Sequence, residues 1–140
     1  MEHDDVRVLV AEDDEDIRVL IERVFSHVGL QVTVVGDGAD ALGALEAVAP
    51  HCVVLDLRMP DVDGMAVLGT MRRNGSSVPA VMLTASVEVE IEVDALELGA
   101  FAVVRKPFTT RALLTVVARA IRSFAPELAF PEPFAVATGL

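Results

Sequence analysis

The sequence predicts an α/β domain, a doubly wound parallel sheet of five strands with five helices. Short apolar runs alternate with stretches of helical periodicity along the chain. The runs are near-continuous rather than alternating, as expected for strands covered on both faces. The intervening stretches are long enough for crossovers between parallel neighbours, and right-handed crossovers restrict the topology.

Residues 6–11 read as a buried strand. Ile17, Leu20, Ile21, Val24, Phe25 and Val28 then follow helical spacing, and Gly29 supplies a stop. Residues 31–35 are a second strand, closed by Gly36 and Gly38. Ala41, Leu42, Leu45, Val48 and Ala49 mark a second helix ended by Pro50. Residues 52–56 form a third strand. A loop over 60–64 leads into a helix carrying Met65, Leu68 and Met71, and a turn at 75–77 leads to a fourth strand over 80–84.

The next segment is ambiguous by itself. Val87, Val89, Ile91 and Val93 alternate with Glu88, Glu90, Glu92 and Asp94, a period-two pattern that favours a strand. The crossover required at this point makes helix the better reading, continuing through Ala95, Leu96 and Leu98 to Gly99. Four β-branched residues give that helix poor intrinsic propensity. Its acidic run reads first as a solvated face and second as a partner contact. Residues 101–105 are the fifth strand. Thr109 or Thr110 caps a last helix with Leu113, Val116, Val117, Ala120, Ile121 and Phe124 on its apolar side. The domain thus covers residues 1–124. Residues 125–140 carry Pro126, Pro131 and Pro133 with Phe130 and Phe134. They cannot be a regular helix throughout, and read equally as a linker to an output module or as a tail packed on the domain.

A chain of 140 residues with 53% hydrophobic content suits one domain and excludes disorder by composition. Its apolar runs are too short to span a bilayer. The acidic start at Glu2, Asp4 and Asp5 is unlike a cationic signal peptide, so a cytoplasmic location is expected. Cys52 reads as a small buried hydrophobe, and His3, His27 and His51 are too scattered to suggest a metal cluster. The net charge of −11 argues against direct nucleic-acid binding and suits encounter with basic protein surfaces.

The polar residues that stand out follow apolar strands. Glu12, Asp13 and Asp14 close the first strand, Asp56 the third and Thr84 the fourth, and Lys106 follows the fifth. In an open parallel sheet these ends share the ligand-binding edge. Clustered carboxylates repel and call for a cation, and hard oxygen ligands with open positions suit Mg²⁺. A lysine and a threonine hydroxyl can hold a phosphoryl group beside it. A carboxylate held in line with a phosphodonor can act as nucleophile and form an acyl phosphate. Asp14, Glu15 and Asp16 read more simply as first-turn acids at a helix N-terminus. Asp61, Asp63 and Gly64 fit neither a calcium loop, which needs later acids, nor an aspartate-phosphatase signature, and read as a turn into the third helix.

The segments VLVAEDD (8–14), LDLRMPDVDG (55–64), LTAS (83–86) and RKPF (105–108), in that order, resemble the bacterial response-regulator receiver domain over residues 6–124. The resemblance implies a flavodoxin-like sheet of order 2-1-3-4-5. It implies that a sensor histidine kinase or phosphotransfer protein phosphorylates Asp56. Asp13 becomes a direct Mg²⁺ ligand, Glu12 a ligand through water, and Asp56 and the Arg58 backbone carbonyl complete the protein's contribution. Thr84 and Lys106 then bind the phosphoryl group, Ala85 leaves room for it, and the Lys106–Pro107 peptide is cis. The role implied is a switch that catalyses only its own phosphoryl uptake and loss, read by an output domain or downstream protein. A homodimer through the last helix–strand–helix face is compatible with the resemblance, but no residue argues it.

Two positions depart from the family pattern. Val103 stands where an aromatic switch residue is usual, with Phe101 two residues earlier. Glu12 replaces the commoner Asp. Arg58 and Ser86 occupy positions that tune dephosphorylation, and Arg58 is expected to shield the acyl phosphate from water. The competing readings are an unphosphorylated interaction module, a flavodoxin-like cofactor binder and an aspartate-nucleophile phosphatase. The acids after the first strand disfavour the cofactor binder, because they would repel a phosphate.

Overall fold

The computed structural model describes residues 3–140; Glu2, part of the acidic start, lies outside the described residues. The strands are β1 (Arg7–Ala11), β2 (Gln31–Val35), β3 (Cys52–Asp56), β4 (Ala80–Thr84) and β5 (Ala102–Arg105). The helices are α1 (Glu15–His27), α2 (Gly38–Val48), α3 (Gly64–Arg73), α4 (Val89–Glu97), α5 (Thr110–Phe124) and α6 (Glu132–Thr138). All strand pairs are parallel, in the order β2-β1-β3-β4-β5.

Each strand sends alternate residues to two cores. Val8, Val10, Cys52, Val54, Val81 and Leu83 meet α1, α5 and α6 on one face. Leu9, Val53, Leu55, Ala80 and Met82 meet α2, α3 and α4 on the other. The central strands β3 and β4 are buried along their whole length, which is why they read as unbroken apolar runs. Four helices begin on short polar caps. Asp14, Asp37, Asp63 and Thr109 accept the N–H groups of Ile17, Asp40, Ala66 and Ala112. The ambiguous segment is helical, but Glu88, the N-cap of α4, makes no side-chain cap bond. Its helicity comes from tertiary need, with Ala95 buried and Ile91 packed on the core beneath it.

Two details differ from the sequence expectation. Phe101 precedes β5 and is 39% exposed. The strand stops short of it because Phe101 only bonds back to Ala80, through its N–H. There is also a sixth helix. Pro131 is its cap and Pro133 lies in its first turn, where a missing N–H leaves no bond unmade. The prolines therefore start this helix rather than forbid it.

Residues 125–140 pack on the domain. Phe134 is fully buried in the core shared by α1 and α5. Phe130 lies 4.7 Å from it, centroid to centroid, with the Arg122 guanidinium 3.6 Å above the Phe130 ring. Pro131 covers Gly29, where an added Cβ would lie 2.8 Å from the proline Cβ. Asp4 and Ala129 exchange two hydrogen bonds that close the segment onto the N-terminal residues. Phe134→Ala is expected to cost about 3–5 kcal/mol, the range for emptying a buried phenylalanine site. Urea unfolding checks this, and a loss below about 1 kcal/mol would contradict the packing role.

Candidate functional site

The carboxyl ends of β1, β3, β4 and β5 converge, and the side chains just past them form the site. Asp56, the last residue of β3, is 5% exposed, and so is Thr84 at the end of β4. Glu12 follows β1 and is wholly buried. Lys106 follows β5 and reaches across the edge, with its Nζ 3.0 Å from Asp56 Oδ2 and 2.6 Å from Glu12 Oε1. The second contact is an ion pair by distance, yet Glu12 Oε1 receives no aligned hydrogen bond. Asp56 Oδ1 accepts the Arg58 N–H at 3.2 Å. Thr84 Oγ1 accepts the Ser86 N–H at 3.0 Å, so its own O–H is available to another acceptor. The Lys106–Pro107 peptide is cis.

Asp13 is exposed at the rim. One oxygen each from Glu12, Asp13 and Asp56 lies within 4.8 Å of the others. This all-oxygen set is open to solvent on the Asp13 side, and one of its oxygens lacks an aligned donor. The donor set fits a hard divalent cation.

The electrostatics separate the two buried acids. Burial pushes the Glu12 pKa up to about 8; the neighbouring Asp56 carboxylate adds to the rise, and Lys106 only partly offsets it. Burial also opposes ionisation of Asp56. Hydrogen bonds from Glu12, Lys106 and the Arg58 N–H, with the charge of Lys106, outweigh it and hold Asp56 below the ordinary carboxylate range. Lys106 is likewise desolvated, but its two acidic partners raise its pKa. Burial thus disfavours the charged form of Glu12, while the neighbours of Asp56 favour its anion.

All the residues expected from the strand ends are thus at one edge. Arg58 stands beside them through its backbone, with its side chain exposed. Asp14 caps α1, and Val103 packs on the core rather than reaching the site. Residues to which the sequence reading gave no role at the site also build the edge. Gly64 carries no side chain because an added Cβ would sit 2.3 Å from the Asp56 carbonyl oxygen. Gly38 approaches the Val62 carbonyl in the same way, at 2.0 Å. Arg18 donates to the Glu12 carbonyl at 2.9 Å. The glycines read only as turn residues, Gly38 closing the second strand and Gly64 leading into the third helix, and for Arg18 there was no signal.

The sequence model of the family described as the response regulator receiver domain matches residues 8–118. The chain belongs to this family. As a receiver domain it is 34% identical over 116 residues to the regulatory protein AtoC of Escherichia coli K12, covering 83% of this chain and 25% of that protein. It is 35% identical over 122 residues to the response regulator MprA of Mycobacterium bovis, covering 87% of this chain and 53% of that protein. The chain therefore spans between a quarter and about half the length of these relatives. Among solved structures, the Francisella response regulator 1452 receiver domain superposes with a TM-score of 0.81 at 29% identity, covering 85% of this chain and 98% of the other. The receiver domain of a LuxO repressor protein from Vibrio parahaemolyticus gives 0.83 at 28% identity, covering 88% and 95%. The expected fold and sheet order are those of this receiver domain. Among the described residues no helix is long and apolar enough to cross a membrane.

Proposed function

We propose that this receiver domain is a phosphoryl-accepting switch, phosphorylated on Asp56 by a histidine kinase or phosphotransfer protein in the presence of Mg²⁺. The observation that carries the reading is the Asp56 carboxylate held against Lys106, with Glu12 and Asp13 beside it. A carboxylate oxygen of Asp56 forms the new O–P bond as the donor N–P bond breaks, and the donor histidine nitrogen keeps the electron pair and takes up a proton. Glu12, Asp13, Asp56 and the Arg58 carbonyl would hold Mg²⁺, which when bound neutralises phosphoryl charge. Lys106 supplies a fixed positive charge to the same oxygens, and the Thr84 hydroxyl donates to them. The transition state is loose, so positioning and charge neutralisation do most of the catalysis. The chain performs no metabolic turnover in this reading.

The added charge biases a two-state equilibrium. Thr84 begins the loop into α4, whose uncapped start leaves it able to respond. Val103 replaces the turning aromatic ring, so the readout runs through that loop and α4. A cytoplasmic setting and a downstream output module fit relatives that are named as regulators.

Incubation with acetyl phosphate and Mg²⁺, followed by mass spectrometry, tests the reading. A labile adduct on the parent chain and none on Asp56→Asn is the expected pair of results. An adduct surviving Asp56→Asn would overturn it, and no adduct on the parent would favour the unphosphorylated interaction module. Arg58→Ala is expected to shorten the phosphoprotein half-life several-fold, because an exposed guanidinium beside the acyl phosphate restricts water. An unchanged half-life removes that role.

A further inference from the structure

Glu12 is held on every side. Its N–H donates to the Val35 carbonyl at 3.1 Å, and its Oε2 accepts the Asp14 N–H at 3.4 Å. Its carbonyl oxygen accepts Nη1 of Arg18 at 2.9 Å. The Arg18 guanidinium is half-buried against the β2–α2 turn, where a Cβ on Gly36 would lie 3.2 Å from that same Nη1. Asp14 in turn caps α1, with its side chain on Ile17 and its carbonyl accepting the Arg18 N–H at 2.9 Å. Asp13 thus lies exposed in a loop clamped on both sides.

We propose that Arg18 is a positioning residue for the cation site. By holding the Glu12 carbonyl against the β2–α2 turn, it fixes the direction in which the loop presents Asp13 beside Glu12 and Asp56. The inference rests on the Mg²⁺-dependent reading above. Two effects of opposite sign decide it. A guanidinium near three carboxylates repels a cation, so removing its charge alone should tighten Mg²⁺ binding, about two- to fivefold for partly screened charges. Losing a residue that orients a ligand from behind typically weakens metal binding about 10–100-fold. Positioning therefore predicts net weakening, and a charge effect predicts net tightening.

The test is Mg²⁺ binding to the full chain by isothermal titration calorimetry, with circular dichroism in EDTA as the folding control. Arg18→Gln is expected to weaken Mg²⁺ at least about fivefold, while acetyl phosphate labelling of Asp56 recovers at saturating Mg²⁺. Gly36→Val keeps the arginine and its charge but crowds the guanidinium, and is expected to weaken Mg²⁺ in the same direction. Equal or tighter binding by folded Arg18→Gln overturns the proposal. Should Arg18→Gln fail to fold, Gly36→Val decides: weaker binding supports the proposal, and unchanged binding overturns it. A parent chain that binds no Mg²⁺ and takes no label overturns the underlying reading, and this inference with it.

Discussion

Gly64→Ala is expected to destabilise the domain by about 3 kcal/mol or more and to abolish phosphoryl uptake at Asp56. The ordinary expectation runs the other way. Alanine in a helix gains up to about 1 kcal/mol over glycine, and Gly64 is the first residue of α3. The contact decides the sign. The new Cβ would lie 2.3 Å from the Asp56 carbonyl oxygen, 3.0 Å from its carbon and 3.1 Å from Met82 Cε. Met82 is flexible and can yield. The Asp56 backbone belongs to a strand buried along its whole length and paired on both sides, so it cannot. Either α3 moves away or the end of β3 moves, and the second displaces the nucleophile. Gly38→Ala, at 2.0 Å from the Val62 carbonyl oxygen, should behave similarly. Gly43 is the control. It lies inside α2 with nothing within 4 Å of its added Cβ, so Gly43→Ala should stabilise by roughly 0.5–1 kcal/mol. Urea unfolding of the three variants checks the set. A neutral Gly64→Ala would show that the α3–β3 contact yields easily.

In EDTA, stability is expected to fall by about 2 kcal/mol between pH 6.5 and 8.5. Glu12 has its folded pKa raised from 4.5 to about 8. Between these values the folded state binds the extra proton. The associated stabilisation is fully present below 4.5 and is lost as pH rises through 8. The other shifted groups act elsewhere, and Cys52, raised from 9.0 by burial, begins to lose its contribution only above that pH. Asp56 is depressed from 3.8, so its contribution holds above that pH and is lost only in acid. Lys106 is raised from 10.5, so its contribution is lost only in strong base. His51 is lowered from 6.5 and destabilises only as pH falls below that value. Glu12 therefore governs the slope in this window. Glu12→Gln should flatten it, because the amide stays neutral. A slope that persists in Glu12→Gln would place its origin elsewhere.

Much of the edge chemistry was legible because a parallel sheet brings the carboxyl ends of its strands to one side, whatever lies between them. Asp56, Thr84 and Lys106 each followed an apolar run, and strand-end position is a local property. Glu12 was legible as a member of the acid pair, but its complete burial and its ion pair with Lys106 were not. Those depend on how far a lysine stem reaches across two neighbouring strands.

Local periodicity, turn residues and caps belong to short stretches of chain, and on these the sequence by itself determined five βα units, their parallel sheet and the set of strand-end side chains. Even there α4 shows a limit, since its own period-two pattern favours a strand and only the crossover requirement made it a helix. Tertiary structure decided what depends on distant segments meeting at ångström tolerance. It alone set the buried carboxyl pair of Glu12 and Asp56, the Arg18 clamp, the close approaches that demand glycine at 38 and 64, and the docking of Phe134. The physical reason is range. Hydrophobic pattern selects an element and a face within a few residues, whereas a 2.3 Å approach or a buried ion pair exists only once the sheet has fixed the positions of both partners.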